Sequence, residues 1–317
     1  VIVKSHPMHA GTGELVAKAV VEAAKISAMP EGVFSNLNAI DFHVGEQLVL
    51  NEGVAAVGFT GSINGGKALI KLAAARKNPI PVFAEMGSVN PVLIFPKKDS
   101  ELSLWATKMT VSITNNSGQF CTKPGLIFCL KSLESETFFS ALKEKFCAVN
   151  ADFMVSPIIC SNYNLRIEDL KKHKEIQFHE GLSHAIPNTG KPVLARIDGD
   201  DFVKHPSLQQ EVFGPFSLVV FFDTITTLIN AYSLLDGQLT TSFFGSYEDE
   251  VIQDKLLFLA MQKAGRIIFD EVPTGVETSR AMHHSGKFPA SSDIRFTAVG
   301  TDSIDRFSRP IVYQNKY

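Results

Sequence analysis

The sequence predicts an α/β protein, with a parallel sheet covered on both faces and a second α/β domain after it. Two observations carry that reading. Strand-like and helix-like segments alternate along most of the 317 residues. Apolar residues make up 45% and charged residues 20%, enough to fill the cores of two domains. Residues 1–4 read as a strand. Residues 12–27 carry Leu15, Val16, Ala19, Val20, Ala23 and Ala24 at helical spacing. Thr12 is placed to cap that helix, and Glu14 suits its first turn. Pro30 and Gly32 end it. Strands follow at 33–37, 54–59 and 80–84, with helices at 44–50 and 65–76. The expected boundary lies near Gly87. Beyond it, strands are expected at 91–95, 125–130, 216–222, 241–246 and 266–269, with helices at 102–112, 224–235 and 250–263. Residues 306–314 read as an extended tail.

Composition excludes several function classes. A net charge of −3 gives no basic surface for nucleic acid or an acidic membrane. The longest apolar runs, such as 217–222, are far too short to span a bilayer. The four cysteines, Cys121, Cys129, Cys147 and Cys160, show no paired spacing and read as reduced thiols of a cytoplasmic protein. His283 and His284 are adjacent, with no cysteine or carboxylate at ligand spacing, so no metal is expected there. They read as loop residues near a substrate mouth.

Cys121, in Ser117-Gly118-Gln119-Phe120-Cys121-Thr122, is the candidate nucleophile, and Glu85 upstream is the candidate base. A thiol and a carboxylate suffice to form and then hydrolyse a thioester. Taken alone, a lone cysteine such as Cys121 is more often a buried small apolar residue than a nucleophile, and Glu85 reads as a turn carboxylate. Other motifs stand around them. Val57-Gly58-Phe59-Thr60-Gly61-Ser62-Ile63-Asn64-Gly65-Gly66 runs from a strand into a glycine-rich turn. Glu85-Met86-Gly87-Ser88-Val89-Asn90-Pro91, Glu211-Val212-Phe213-Gly214-Pro215 and Pro273-Thr274-Gly275-Val276 complete the ordered set.

That ordered set, from Lys4 to the C-terminus, resembles the aldehyde dehydrogenase superfamily. The phrases around Glu85, Pro273 and Arg295 are most like the branch that oxidises α-ketoglutaric semialdehyde. The resemblance implies a Rossmann-like cofactor domain over 1–87, incomplete at its N-terminus, a catalytic domain over 88–290, and an oligomerisation segment over 291–317. It implies an active site between the domains, faced by Glu85 and Cys121. It also implies a preceding segment that carries sheet strands and an oxyanion-binding asparagine, so residues 1–317 alone are expected to be inactive.

By resemblance, Cys121 attacks the aldehyde, a hydride passes to NADP or NAD, and Glu85 activates the hydrolytic water. The Cys121 backbone N–H is a plausible oxyanion donor. The cofactor contacts implied are Lys4 at the adenosine ribose, Gly61, Ser62 and Gly66 at the pyrophosphate, Met86, Glu211 at the nicotinamide ribose, and Phe213 beside the ring. Pro7 stands where a ribose-chelating glutamate is common, which favours NADP. Phe120 and Phe288 are implied for the substrate tunnel, and Arg280 or Arg295 for a substrate carboxylate. The expected partners are a small aldehyde and further copies of the chain, as a homodimer or homotetramer. The alternatives are a medium- or long-chain aliphatic aldehyde dehydrogenase and a truncated, non-catalytic paralogue.

Overall fold

The computed structural model describes residues 1–96, 99–183 and 186–316. β1 (Ile2–Lys4) pairs in parallel with β2 (Ser35–Leu37), and α1 (Ala10–Ile26) joins them. α1 begins before its expected start. His9 occupies the N-cap position, which leaves Thr12 inside the helix rather than at its cap. α2 (Phe42–Leu50) starts at Asp41, whose carboxylate accepts the His43 N–H at 2.7 Å. β3 (Val57–Thr60), α3 (Ile63–Ala74) and β4 (Val82–Glu85) follow. Two compact units emerge. One comprises Val1–Val57 and Lys67–Val82, and the other Gly58–Gly66 and the chain from Phe83 onward.

The larger unit contains β5 (Val92–Phe95), α4 (Asp99–Thr114), β6 (Leu126–Leu130), α5 (Leu133–Cys147), β7 (Asp152–Phe153), α6 (Pro157–Leu170), β8 (Gln177–Glu180) and β9 (Thr189–Gly190). β10 (Val193–Asp198), α7 (Gly199–Lys204), β11 (Phe216–Phe222), α8 (Ile225–Leu234), β12 (Gln238–Gly245), α9 (Glu250–Lys263) and β13 (Ala264–Phe269) complete it. Seven strands form one sheet in the order β13-β12-β5-β6-β11-β10-β8. Every neighbouring pair is parallel except β8 against β10 at the edge.

The sheet is apolar on both faces because helices cover both. Leu93, Phe128, Leu218 and Val220 point into one core, with Tyr163 and Ile167 of α6, Leu228 of α8 and Leu256 of α9. Val92, Ile94, Ile127, Val219 and Phe221 point into the other, with Trp105 and Met109 of α4 and Phe138 and Leu142 of α5. The alternation along β5, β6 and β11 is the two-residue period of a strand. In the tail, a short 3-10 helix over Thr301–Phe307 precedes residues 308–314, which form neither helix nor strand. Among the described residues, no helix is long and apolar enough to cross a membrane.

Phe128 lies edge-on to Phe202 and Phe222, with ring centroids at 5.5 and 5.2 Å. Phe128→Ala is expected to lower stability by about 3–5 kcal/mol. Urea denaturation checks this, and an unchanged midpoint would show that the ring does not hold the core.

Candidate active site

The loop that carries Cys121 turns sharply after α4. Asn116, Ser117 and Gly118 all have positive φ, at 50°, 53° and 65°. A left-handed conformation costs a non-glycine residue roughly 1–2 kcal/mol, so surrounding bonds must hold it. The Ser117 hydroxyl donates to Asp152 O at 3.1 Å. The Gln119 side chain donates to Asn116 O at 2.8 Å and accepts the Val155 N–H at 2.7 Å. Gly118 has no room for a side chain, since a Cβ there would run into the Gly214 backbone. The Gly-Gln-Phe-Cys and Glu-Val-Phe-Gly-Pro motifs therefore meet at two glycines.

Asn90 fixes the backbone around Cys121. It is fully buried with φ at 45°. Its Nδ2 donates to Cys121 O at 2.9 Å, Lys123 O at 3.1 Å and Ser88 O at 3.3 Å. Its Oδ1 accepts from the Thr240 hydroxyl at 3.0 Å. Gln238 Oε1 accepts the N–H groups of Val89 and Asn90 at 2.9 and 3.1 Å. Asn90 lies in a motif the sequence reading quoted, but that reading gave it no role.

Cys121 Sγ lies 3.4 Å from His284 Nε2, and the same nitrogen lies 3.1 Å from Glu85 Oε1. Glu85 and His284 are buried, and Cys121 is partly so. Glu85 ends β4, where its carbonyl accepts the Gly61 N–H at 3.0 Å. His284 is fixed by its N–H to Thr297 Oγ1 at 3.0 Å and by Ala298 N–H to its carbonyl at 2.8 Å. Burial pushes the Cys121 thiol up to about 12, helped by the charge and hydrogen bond of Glu85. Its own backbone amide and the Arg266 charge act the other way. Cys121 therefore rests as a thiol with a nitrogen base in contact. Local sequence could not reveal that base: His284 is 163 positions from Cys121 and 199 from Glu85.

A charge pair of buried Lys123 and partly buried Glu211 lies beside the Cys121 loop. Burial pushes the Lys123 ammonium down and the Glu211 carboxyl up, and each draws the other back towards its charged form. Lys123 Nζ donates to Val212 O at 3.1 Å and Phe216 O at 2.7 Å, which pins the Glu-Val-Phe-Gly-Pro loop from within. The Glu211 carboxylate packs so closely on Gly87 that a Cβ there would collide with it. Phe213 keeps an exposed ring.

Met86 is buried and packs on Gly66. Ser62 Oγ accepts the Gly65 N–H at 3.1 Å and so caps α3, which leaves its own proton free to be donated. Gly61 is exposed before that helix. Lys4 belongs to the smaller unit, where Nζ donates to Ala39 O at 3.1 Å and Ser5 O at 3.3 Å. Phe120 is half-buried, and Phe288 is about half exposed. Arg280 and Arg295 are exposed, and Arg295 pairs with Asp293 at 2.6 Å. Arg266 is half-buried, donates to Pro273 O at 2.8 Å, and is the arginine whose charge acts on Cys121.

Residues 1–254 match the aldehyde dehydrogenase family. The chain belongs to the aldehyde dehydrogenase family. It is 40% identical over 99% of its length to the α-ketoglutaric semialdehyde dehydrogenase of Acinetobacter baylyi, and 37% identical to α-ketoglutaric semialdehyde dehydrogenase 2 of Azospirillum brasilense. It spans 60% of each of those relatives. The fold matches the crystal structure of an NAD-dependent aldehyde dehydrogenase from Sinorhizobium meliloti, with a TM-score of 0.76 at 19% identity. That match covers 98% of this chain and 59% of the other.

Alkylation of Cys121 tests its resting state. With the thiol at about 12, its thiolate fraction should rise about tenfold per pH unit from pH 8 to 10. Iodoacetamide labelling followed by mass spectrometry should track that rise without levelling off. A plateau near pH 8.5 would show that the thiol is not raised.

Proposed function

We propose that this aldehyde dehydrogenase chain carries the thioester chemistry of an NAD(P)-dependent enzyme that oxidises α-ketoglutaric semialdehyde to 2-oxoglutarate. The observation that carries the reaction class is one His284 nitrogen in contact with both the Cys121 thiol and the Glu85 carboxylate. The identity to two proteins named for that semialdehyde supports the substrate.

Because Cys121 rests as a thiol, attack requires a base, and His284 Nε2 is the nitrogen in reach. With its proton on Nδ1, His284 takes the thiol proton as Sγ bonds to the aldehyde carbon. The imidazolium then lies 3.1 Å from the Glu85 carboxylate, which stabilises it. The Cys121 backbone N–H faces the oxyanion of the resulting thiohemiacetal. NAD(P)+, when bound, accepts the hydride that turns the thiohemiacetal into a thioester. Glu85 then takes a proton from water as the water oxygen attacks the thioester carbon. The leaving Cys121 sulfur recovers its proton from His284, Glu85 and the product acid each release a proton to solvent, and the carboxylate departs.

The donor set suits the cofactor. The capped N-terminus of α3, with the free Ser62 proton, offers donors to phosphate. The Glu211 carboxylate, beside Gly87, is an acceptor for sugar hydroxyls. Met86 and Phe213 offer apolar contact. Pro7 carries no charge that would repel a 2′-phosphate, which favours NADP. Phe120 is assigned to the substrate path. Arg266 is the candidate partner of the substrate carboxylate, since Arg295 is already paired. The exposed Ile311, Val312 and Tyr313 of the tail suit pairing with another copy, as a homodimer or homotetramer in the cytoplasm.

Glu85→Gln is expected to keep the pre-steady-state burst of reduced cofactor and to lose steady turnover. Stopped-flow absorbance separates the two phases, and equal loss of both would remove Glu85 from the hydrolytic step.

The ratio of kcat/KM for α-ketoglutaric semialdehyde to that for hexanal is expected to exceed about a hundredfold. An analogue without the carboxylate would leave a half-buried cation unpaired. A ratio near one would leave an aliphatic aldehyde dehydrogenase standing.

A further inference from the structure

We propose that Cys121, His284 and Glu85 form a three-donor site for Zn²⁺, through which the metal reversibly silences the nucleophile. The silencing rests on the reading of Cys121 as nucleophile, whereas the metal binding does not. The adjacent histidines have no cysteine or carboxylate at ligand spacing in the sequence, so the sequence alone predicts no metal there. The fold supplies both from distant segments.

One nitrogen faces two partners. His284 Nε2 lies 3.4 Å from Cys121 Sγ and 3.1 Å from Glu85 Oε1, and the three donor atoms lie within 4.8 Å of one another. A single proton on that nitrogen can serve only one of the two contacts. A cation at the common centre engages all three atoms. Tetrahedral zinc, with bonds of about 2.05 Å to nitrogen and oxygen and about 2.3 Å to sulfur, sets nitrogen and oxygen about 3.3 Å apart and nitrogen and sulfur about 3.5 Å apart. Both observed separations fall within about 0.3 Å of those values, so little side-chain movement is required.

The donor chemistry selects the metal. Thiolate, imidazole and carboxylate are zinc ligands, whereas Mg²⁺ and Ca²⁺ require oxygen. Glu85 and His284 are buried and held by neighbouring backbone, so few rotamers are lost on binding. Cys121 is the more exposed member and marks the side of entry, where water fills the fourth position. The step is ligand exchange without redox. Cys121 S–H loses its proton to solvent, an S–Zn bond forms, His284 binds as neutral imidazole and Glu85 as carboxylate. The +2 metal and two anionic ligands leave the site neutral, so the nearby Arg266 charge faces no net cation.

A second group, His173, Glu175 and His205, also brings three donors together but holds no thiol. The test therefore uses a signal specific to sulfur. Co²⁺, added to the metal-free chain, is expected to give a sulfur-to-cobalt charge-transfer band that Zn²⁺ displaces. The band should vanish in Cys121→Ser and in His284→Ala, and persist in His173→Ala combined with His205→Ala. Zn²⁺ should slow iodoacetamide labelling of Cys121 by about tenfold or more in the unaltered chain and leave it unchanged in His284→Ala. No thiolate band, or equal protection in His284→Ala, would overturn the site. A band that leaves dehydrogenase turnover unchanged would overturn the silencing. A band together with undiminished aldehyde turnover in Cys121→Ser would keep the metal site and sink the functional reading instead.

Discussion

Asn90 has no water to turn to. Its amide is fully buried, and its hydrogens go to the carbonyls of Ser88, Cys121 and Lys123. Each such carbonyl would cost roughly 1–3 kcal/mol if left without a partner. Those bonds tie the segment after β4 to the start of β6, and Gln238 ties the same segment to the start of β12. Three segments far apart in sequence are thus fixed at one corner of the seven-stranded sheet. The corner sets where Cys121 stands, while the chain from Glu85 to Asn90 runs directly into it. Cys121 and the segment that leads from Glu85 are held by one polar network.

Electrostatics sharpen that arrangement. Burial and the Glu85 charge both oppose a free thiolate at Cys121. A resting thiol is less open to oxidation than a thiolate, and it still becomes a nucleophile once a base in contact takes the proton. The proposed reaction gives that place to His284, 3.4 Å from the sulfur. Lys123 plays a different part. Its ammonium is buried and spends its donors on the carbonyls of Val212 and Phe216, while Glu211 supplies the opposing charge. Removing either partner would leave the other charge uncompensated in a desolvated place.

Much of this was legible in the sequence, and the gaps have physical causes. The continuous apolar runs of β5, β6 and β11 announced strands buried on both faces. The helices α8 and α9 fell within a residue of their expected bounds. No helix or strand is expected from the sequence between 131 and 215, although the signals exist. Ser132 and Ser156 cap α5 and α6, and Phe138, Phe139, Leu142 and Phe146 recur at helical spacing. Thr12 misled because a capping residue type also occurs inside helices, and the helix began earlier. Motif phrases pointed to Cys121 and Glu85 as a candidate pair. Nothing local pointed to Asn90 or His284, because their roles are defined only by partners the fold brings from far away.

His284 shows why such residues escape a linear reading. Neighbouring histidines on an exposed loop would each find water. Here His283 stays at the surface, its ring nitrogen at 2.8 Å from Ile294 O, while His284 is turned inward. The backbone bonds to Thr297 and Ala298 set that turn, so the segment near residue 297 decides which of two adjacent imidazoles reaches the thiol. Arg266 on β13 supports the same region by holding the carbonyl of Pro273, and Thr274 in turn reaches Ser112 and the carbonyl of Thr122. The C-terminal segments therefore complete a cluster whose thiol lies far upstream. A change near 297 that rotated His284 outward would leave Cys121 and Glu85 in place. It would separate the proton acceptor from the thiol and remove the shared nitrogen on which both the proposed catalysis and the proposed metal site depend.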